Sequence, residues 1–261
     1  MVVLTGCASR PTAELAGVGL DSLDLTSATL RFDVKVTNPY PVALPLANLD
    51  YNLASNAASF LSGQADLQGT VPALGTKTVS LPAKITYREL LAALKGVTPG
   101  QVVPYKAVMG LSVKSPVGGA LRLPLEKEGQ LPVPAVPDVK VESITWSNLS
   151  LEEAKGVIKL HVTNPNQFAL DVAKIDYALN LGGAEVAKSA LASATKLAAS
   201  GGSGTVDIPI TFSPKNLGLG AVKMLSGSGG GYGLSGALSV NTPFGPMTLP
   251  LSAQGTTLFR R

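Results

Sequence analysis

The stretch Val36–Pro39, VTNP, returns at Val162–Pro165. The likeness extends well past four letters. At an offset of 126 it pairs Leu44 with Leu170, Leu49 with Ile175, Asp50 with Asp176, Tyr51 with Tyr177 and Leu53 with Leu179. A one-residue slip then aligns Val79 with Val206, Pro82 with Pro209, Tyr105 with Tyr232 and Val113 with Val240, before LPL at 123–125 meets LPL at 249–251 and Gly129 meets Gly255. A self-match this long, made once, marks a duplicated domain and not a solenoid. The 261 residues therefore have to build two similar cores. We place the first sandwich at 13–131, a proline-rich linker PVPAVPD at 132–138, the second sandwich at 139–258, and a tether at 1–12.

Each unit reads as strands. Phe32, Val34 and Val36 alternate with Arg31, Asp33, Lys35 and Thr37, and Ile158, Leu160 and Val162 alternate with Lys159, His161 and Thr163. A period of two with one apolar face predicts half-buried strands. Many short strands between Gly, Pro and Asn signals predict an antiparallel β-sandwich. One helix is expected in each unit. TYRELLAALKG has Thr86 and Glu89 at capping-box spacing and Gly96 as its stop. SPKNLGLGAVKML has Ser213 as cap and Pro214 at the first helical position. The fold class is thus mainly β: two tandem antiparallel sandwiches, each with one short α-helix.

The repeated motif carries its own stop chemistry. Pro39 and Pro165 offer no amide hydrogen and end a ladder. Asn38 and Asn164 can bond nearby backbone in an Asx-turn. We assign the motif an architectural role, against the alternative of a ligand site.

Composition removes most familiar chemistries. Cys7 is the only cysteine and His161 the only histidine, so neither an intrachain disulfide nor a cysteine-rich zinc site can form. His161 is read as a solvated residue and Trp146 as core. Asp50 and Asp176 are read as solvated or turn-bonding and not as a cation site. Ser226–Gly233, SGSGGGYG, lacks the GK[ST] ending of a phosphate loop and is read as a flexible loop. Net charge is +4 without a basic stripe, which argues against nucleic acid. No stretch of 18 or more apolar residues occurs. No catalytic residue, metal or cofactor is expected.

Leu4-Thr5-Gly6-Cys7 resembles a bacterial lipobox, in which the cysteine is lipidated and becomes the mature N-terminus, although only Val2, Val3 and Leu4 stand for the apolar stretch and no basic region precedes them. Ala8 in place of aspartate points to the outer membrane. A seven-residue tether, 8–14, reaches at most about 25 Å, so the first sandwich would sit near the membrane.

A strand ending in Asn-Pro-Asn, one helix and a seven-strand sandwich resemble the WHy (water stress and hypersensitive response) domain of the late embryogenesis abundant type 2 family. Asn164, Pro165 and Asn166 match its NPN signature; Asn38 and Pro39 match, while Tyr40 departs from the third position. The resemblance covers both units and implies a fibronectin type III-like sandwich, no catalysis, and protection during dehydration, freezing or other stress. Together with Cys7 it leads us to expect a periplasm-facing outer-membrane lipoprotein that shields partially unfolded client proteins or envelope surfaces from aggregation. The alternative is an envelope binding module that holds an apolar ligand or a protein partner.

Overall fold

Alternation in sequence becomes alternation in burial. Leu30, Phe32, Val34 and Val36 are at most 3% exposed along one strand, and Ile158, Leu160 and Val162 at most 1% along its counterpart. The structure is a computed structural model, and it describes residues 10–116, 118–217 and 229–258. Cys7 and its lipobox lie outside the described residues.

The backbone divides into two units: residues up to Thr98 together with Val102–Val133, and Pro99–Gln101 together with Pro134 onward. The first contains β1 (Thr12–Leu23), β2 (Ser27–Thr37), β3 (Leu44–Ser55), β4 (Ala58–Asp66), β5 (Thr70–Val71), β6 (Thr76–Thr86), α1 (Tyr87–Ala93), β7 (Val102–Lys114) and β8 (Ala120–Pro132). Its two antiparallel sheets run β1-β2-β6 and β4-β3-β7-β8, with β5 added to the start of β3. The second contains β9 (Asp138–Leu149), β10 (Ala154–Thr163), β11 (Leu170–Leu181), β12 (Ala184–Leu197), β13 (Ser203–Phe212), β14 (Gly230–Thr242) and β15 (Gly245–Thr257). Its sheets run β9-β10-β13 and β12-β11-β14-β15. Each unit is therefore a three-on-four antiparallel sandwich with the same strand order, as duplication requires.

Within the linker, Pro132, Val133, Pro134 and Pro137 are buried. In α1, Thr86 takes the N-cap position with extended geometry but makes no side-chain bond to the backbone. Its hydroxyl donates instead to the Glu89 carboxylate, at 2.7 Å, so the box closes between side chains. Tyr87 and Leu90 face the core, and the Tyr87 hydroxyl donates to the Pro132 carbonyl at 3.0 Å. Burial pushes that phenol's pKa well up. Gly96, at φ 85°, turns the chain beyond the helix. In the second unit a 3-10 turn, Pro214–Leu217, begins at the expected proline; residues 218–228, where the rest of the expected helix would fall, lie outside the described residues.

The glycine-rich segment departs from expectation. Ser226–Ser228 lie outside the described residues, but Gly230–Gly233 form the first part of β14 and pair in register with β15. The reason is a cross-strand partner. Tyr232 lies across Gly255, whose added Cβ would meet the phenol oxygen at 2.7 Å. The first unit repeats this with Tyr105 across Gly129, at 2.5 Å. An aromatic ring laid over a strand glycine covers backbone that the glycine leaves bare.

Several prolines fall on edge strands. Pro82 on β6 and Pro209 on β13 occupy matching edge strands, as do Pro124 on β8 and Pro250 on β15. An edge proline removes a donor that another strand would need. Because Tyr105 is 5% exposed and held by its neighbours, Gly129→Ala should displace the ring and cost about 1–3 kcal/mol. Urea denaturation of the two proteins measures this, and an unchanged midpoint would show that the ring moves freely.

Candidate functional site

The two Asn-Pro motifs occupy the same place in each sandwich. Strand β2 ends at Thr37, and Asn38 is 1% exposed. Its backbone N–H donates to the Gly75 carbonyl at 2.8 Å. Its side-chain amide donates to the carbonyls of Val42 (2.8 Å), Pro72 (2.9 Å) and, at longer range, Val71 (3.3 Å). Its Oδ1 accepts the Tyr40 N–H at 3.0 Å, closing an Asx-turn. One buried carboxamide thus clasps loop 38–43 to loop 71–75.

Asn164, fully buried, makes the matching bonds to Phe168 (2.8 Å) and Ala198 (3.0 Å). Its Oδ1 accepts both the backbone N–H and the side-chain N–H of Asn166, at 3.0 and 2.9 Å. The third motif position then reaches further. Asn166 donates to the Ala135 carbonyl at 3.1 Å and accepts the Ala135 N–H at 2.8 Å. A carboxamide paired both ways with a peptide group imitates one rung of a β-ladder and fastens the linker to the second unit. Tyr40, at the equivalent place in the first unit, has no amide with which to do this. Pro39 and Pro165 follow the clasping asparagines and end the ladders of β2 and β10. A ligand for these carboxamides would have to displace backbone partners in a dry interior, which costs about 1–3 kcal/mol for each group left unpaired.

The other sequence candidates lie on separate strands: Asp50 on β3, Trp146 on β9, His161 on β10 and Asp176 on β11. His161 sits mid-strand on β10, opposite Thr205 and Lys140. Trp146 is 5% exposed and meets Phe212 edge-on, with ring centres 6.0 Å apart. Asp50 is ion-paired: the Arg122 guanidinium reaches from β8 across Gly110 to hold both of its oxygens, at 3.1 and 2.5 Å. Those bonds hold the Asp50 carboxyl below the usual carboxylate range. Asp176 pairs with Lys174 at 2.8 Å; the residue matching Arg122 is Thr248. Such exposed pairs contribute little to stability. Among the described residues no group of three His, Cys, Asp or Glu side chains is placed to hold a metal ion. No described helix is long and apolar enough to cross a membrane.

A cleft of about 620 Å³ in the first unit had no signal in the sequence. It opens where β3 turns away at Asn56-Ala57, both at positive φ, while the β7–β8 ladder continues. Asn56, Tyr105, Lys106, Glu128 and Gln130 line it. Lys106 is already bridged to Glu126 at 2.6 Å. Ala54, Ala57 and Pro104 complete a lining that mixes apolar surface with both charge signs and neutral amides.

Both repeats match one family model, described as late embryogenesis abundant protein, over residues 33–129 and 159–255. The chain is similar to late embryogenesis abundant protein Lea14-A of Gossypium hirsutum, 25% identical over 130 residues, which is 50% of this chain and 86% of that one. It is 26% identical to the desiccation protectant protein Lea14 homolog of Glycine max, over the same shares of each chain. A solution structure of an Arabidopsis thaliana protein aligns with 22% identity and a TM-score of 0.41, over 50% of this chain and 86% of that one.

Asn164→Ala should destabilise the protein by roughly 3 kcal/mol, since it leaves several buried partners unpaired. Asn164→Asp should be worse at neutral pH than at pH 4. Burial raises the folded-state pKa of the new carboxyl above its unfolded value of about 3.9, so stability falls as pH rises past that value. Thermal melts of the variant at the two pH values test the sign.

Proposed function

The chain belongs to the late embryogenesis abundant family in both of its repeats, and from that premise we propose a non-enzymatic, membrane-tethered protein that protects against desiccation, freezing and related water stress. Each repeat is read as a WHy domain. The observation that carries the reading is the family match over both units, supported by relatives whose printed names describe desiccation protectants.

The chemistry of the sandwiches fits the role. Loss of water and crowding favour contact between transiently exposed apolar surfaces of other proteins, which is how they aggregate. Two sandwiches with polar outward strand faces and internally bonded loop ends offer surfaces that separate such clients without joining them. The outward positions of β2 show the type: Lys35 is bridged to Glu14 at 3.2 Å, and Arg31 to Asp21 at 2.8 Å. The interiors rely on backbone and carboxamide bonds that need no solvent.

Placement is the second part of the proposal. Cys7 in its lipobox setting would carry the acyl chains, and Ala8 after it would direct the protein to the outer membrane, facing the periplasm. Partially unfolded envelope proteins are then the clients within reach.

A labile enzyme dried or frozen with the purified protein should keep several-fold more activity than with an equal mass of an unrelated globular protein. Equal recovery would defeat the reading. Mass spectrometry of the N-terminal peptide from the native host should show a triacylated Cys7, and an unmodified chain starting at Met1 would remove the tether.

A further inference from the structure

The loops held by the Asn38 clasp are apolar on their outside. Leu74 is 73% exposed and Val42 48%, and Pro41, Ala43, Pro72 and Ala73 around them are exposed as well. The Leu74 N–H donates to the Tyr40 carbonyl at 2.9 Å, tying the two loops into one tip. No charged residue occurs from Asn38 to Leu49 or from Leu67 to Thr76. Leu74 also adopts φ 49°, a left-handed conformation that suits glycine or asparagine and strains a leucine. The leucine is thus strained and wet at once, and neither cost is recovered inside the unit.

The second repeat is the control. Ser200, at φ 56°, stands where Leu74 stands. Phe168 replaces Val42 and is turned inward, 4% exposed and 5.5 Å from the ring of Phe244. Gln167 replaces Pro41. The same loop scaffold therefore occurs without an apolar tip, so the fold does not require one.

The tip's location identifies its partner. Thr12, the first residue of β1, pairs with Thr37 beside the clasp. The chain ahead of β1 therefore departs from this end, and Cys7 is five residues ahead of Thr12, at most about 18 Å of extended chain. We propose that the tip is a membrane-docking surface: Leu74 and Val42, with Tyr40 and the flanking prolines, enter the interfacial layer of a phospholipid bilayer and fix the first unit on it. A contiguous exposed apolar patch marks an interaction site where scattered apolar residues do not, and interfacial binding grows with the apolar area inserted. The proposal rests on the reading that Cys7 tethers the chain, and its test supplies that tether by chemistry.

Cys7, the sole thiol among the 261 residues, is coupled to maleimide-headgroup lipid in vesicles of phosphatidylethanolamine and phosphatidylglycerol. The indole introduced by Leu74→Trp should then shift its emission to the blue and be quenched by brominated acyl chains, while that of Ser200→Trp should not; Trp146 gives both the same background. For uncoupled chains, V42N with L74N should lower vesicle retention at least five-fold with an unchanged or higher melting temperature, because asparagine accepts the left-handed turn. Aqueous acrylamide quenching the indole of the Leu74→Trp chain as fully on vesicles as off them would overturn the proposal, as would equal retention of the doubly substituted chain. Neither result depends on whether cells acylate Cys7, which the native N-terminal peptide decides separately.

Discussion

A side-chain amide buried at the end of a strand is the interaction on which each unit depends. Where a sandwich's chain leaves its sheet, peptide groups lose their ladder partners while still in the dry interior, and each must be satisfied. Asn38 and Asn164 do this with two donors and one acceptor in the space of a single residue. No smaller polar side chain has that valence, and a carboxylate lacks the donors. The proline that follows releases the chain from the ladder without leaving a further N–H to be satisfied. The same four letters therefore occur twice because the same vacancy in the hydrogen-bond pattern occurs twice.

Around that common frame the copies have diverged. Asn166 holds the linker, and Tyr40 does not. Arg122 crosses Gly110 to Asp50, and Thr248 cannot. Leu74 stands out in water at the place that Ser200 takes in the second copy. The carbonyls that receive the clasp belong to matching positions, Val42 and Phe168, Pro72 and Ala198, although their side chains differ. Backbone bonding was kept and exposed chemistry changed, which is the division expected when a duplicated scaffold carries its function on its surfaces.

The strands were legible because alternation needs only local burial to be expressed: Phe32, Val34 and Val36 turned inward as their spacing required. The Asn-Pro turns were equally local. What escaped were features created by register. Glycine has no side chain to alternate, so Gly230–Gly233 read as a loop until Tyr232 was seen beside Gly255 on the facing strand. Asp50 remains partly exposed, and only its ion pair escaped notice, because Arg122 is 72 residues away. The cleft beside Tyr105 exists only because β3 ends before β7 does, a difference of strand length across a sheet that no motif records. Thr86 and Glu89 were legible as a pair, yet their hydrogen bond runs between side chains and leaves the helix N–H groups to other partners.

Four of the prolines on edge strands have a consequence for concentrated, drying solutions. A sheet whose outer rim can still pair will recruit whatever extended chain lies nearest, including another copy of itself, and growth of that kind ends in fibres. Pro82, Pro124, Pro209 and Pro250 each interrupt the row of donors such growth would copy. Along one edge of each of the four sheets, therefore, an arriving strand meets a gap where it would need a donor.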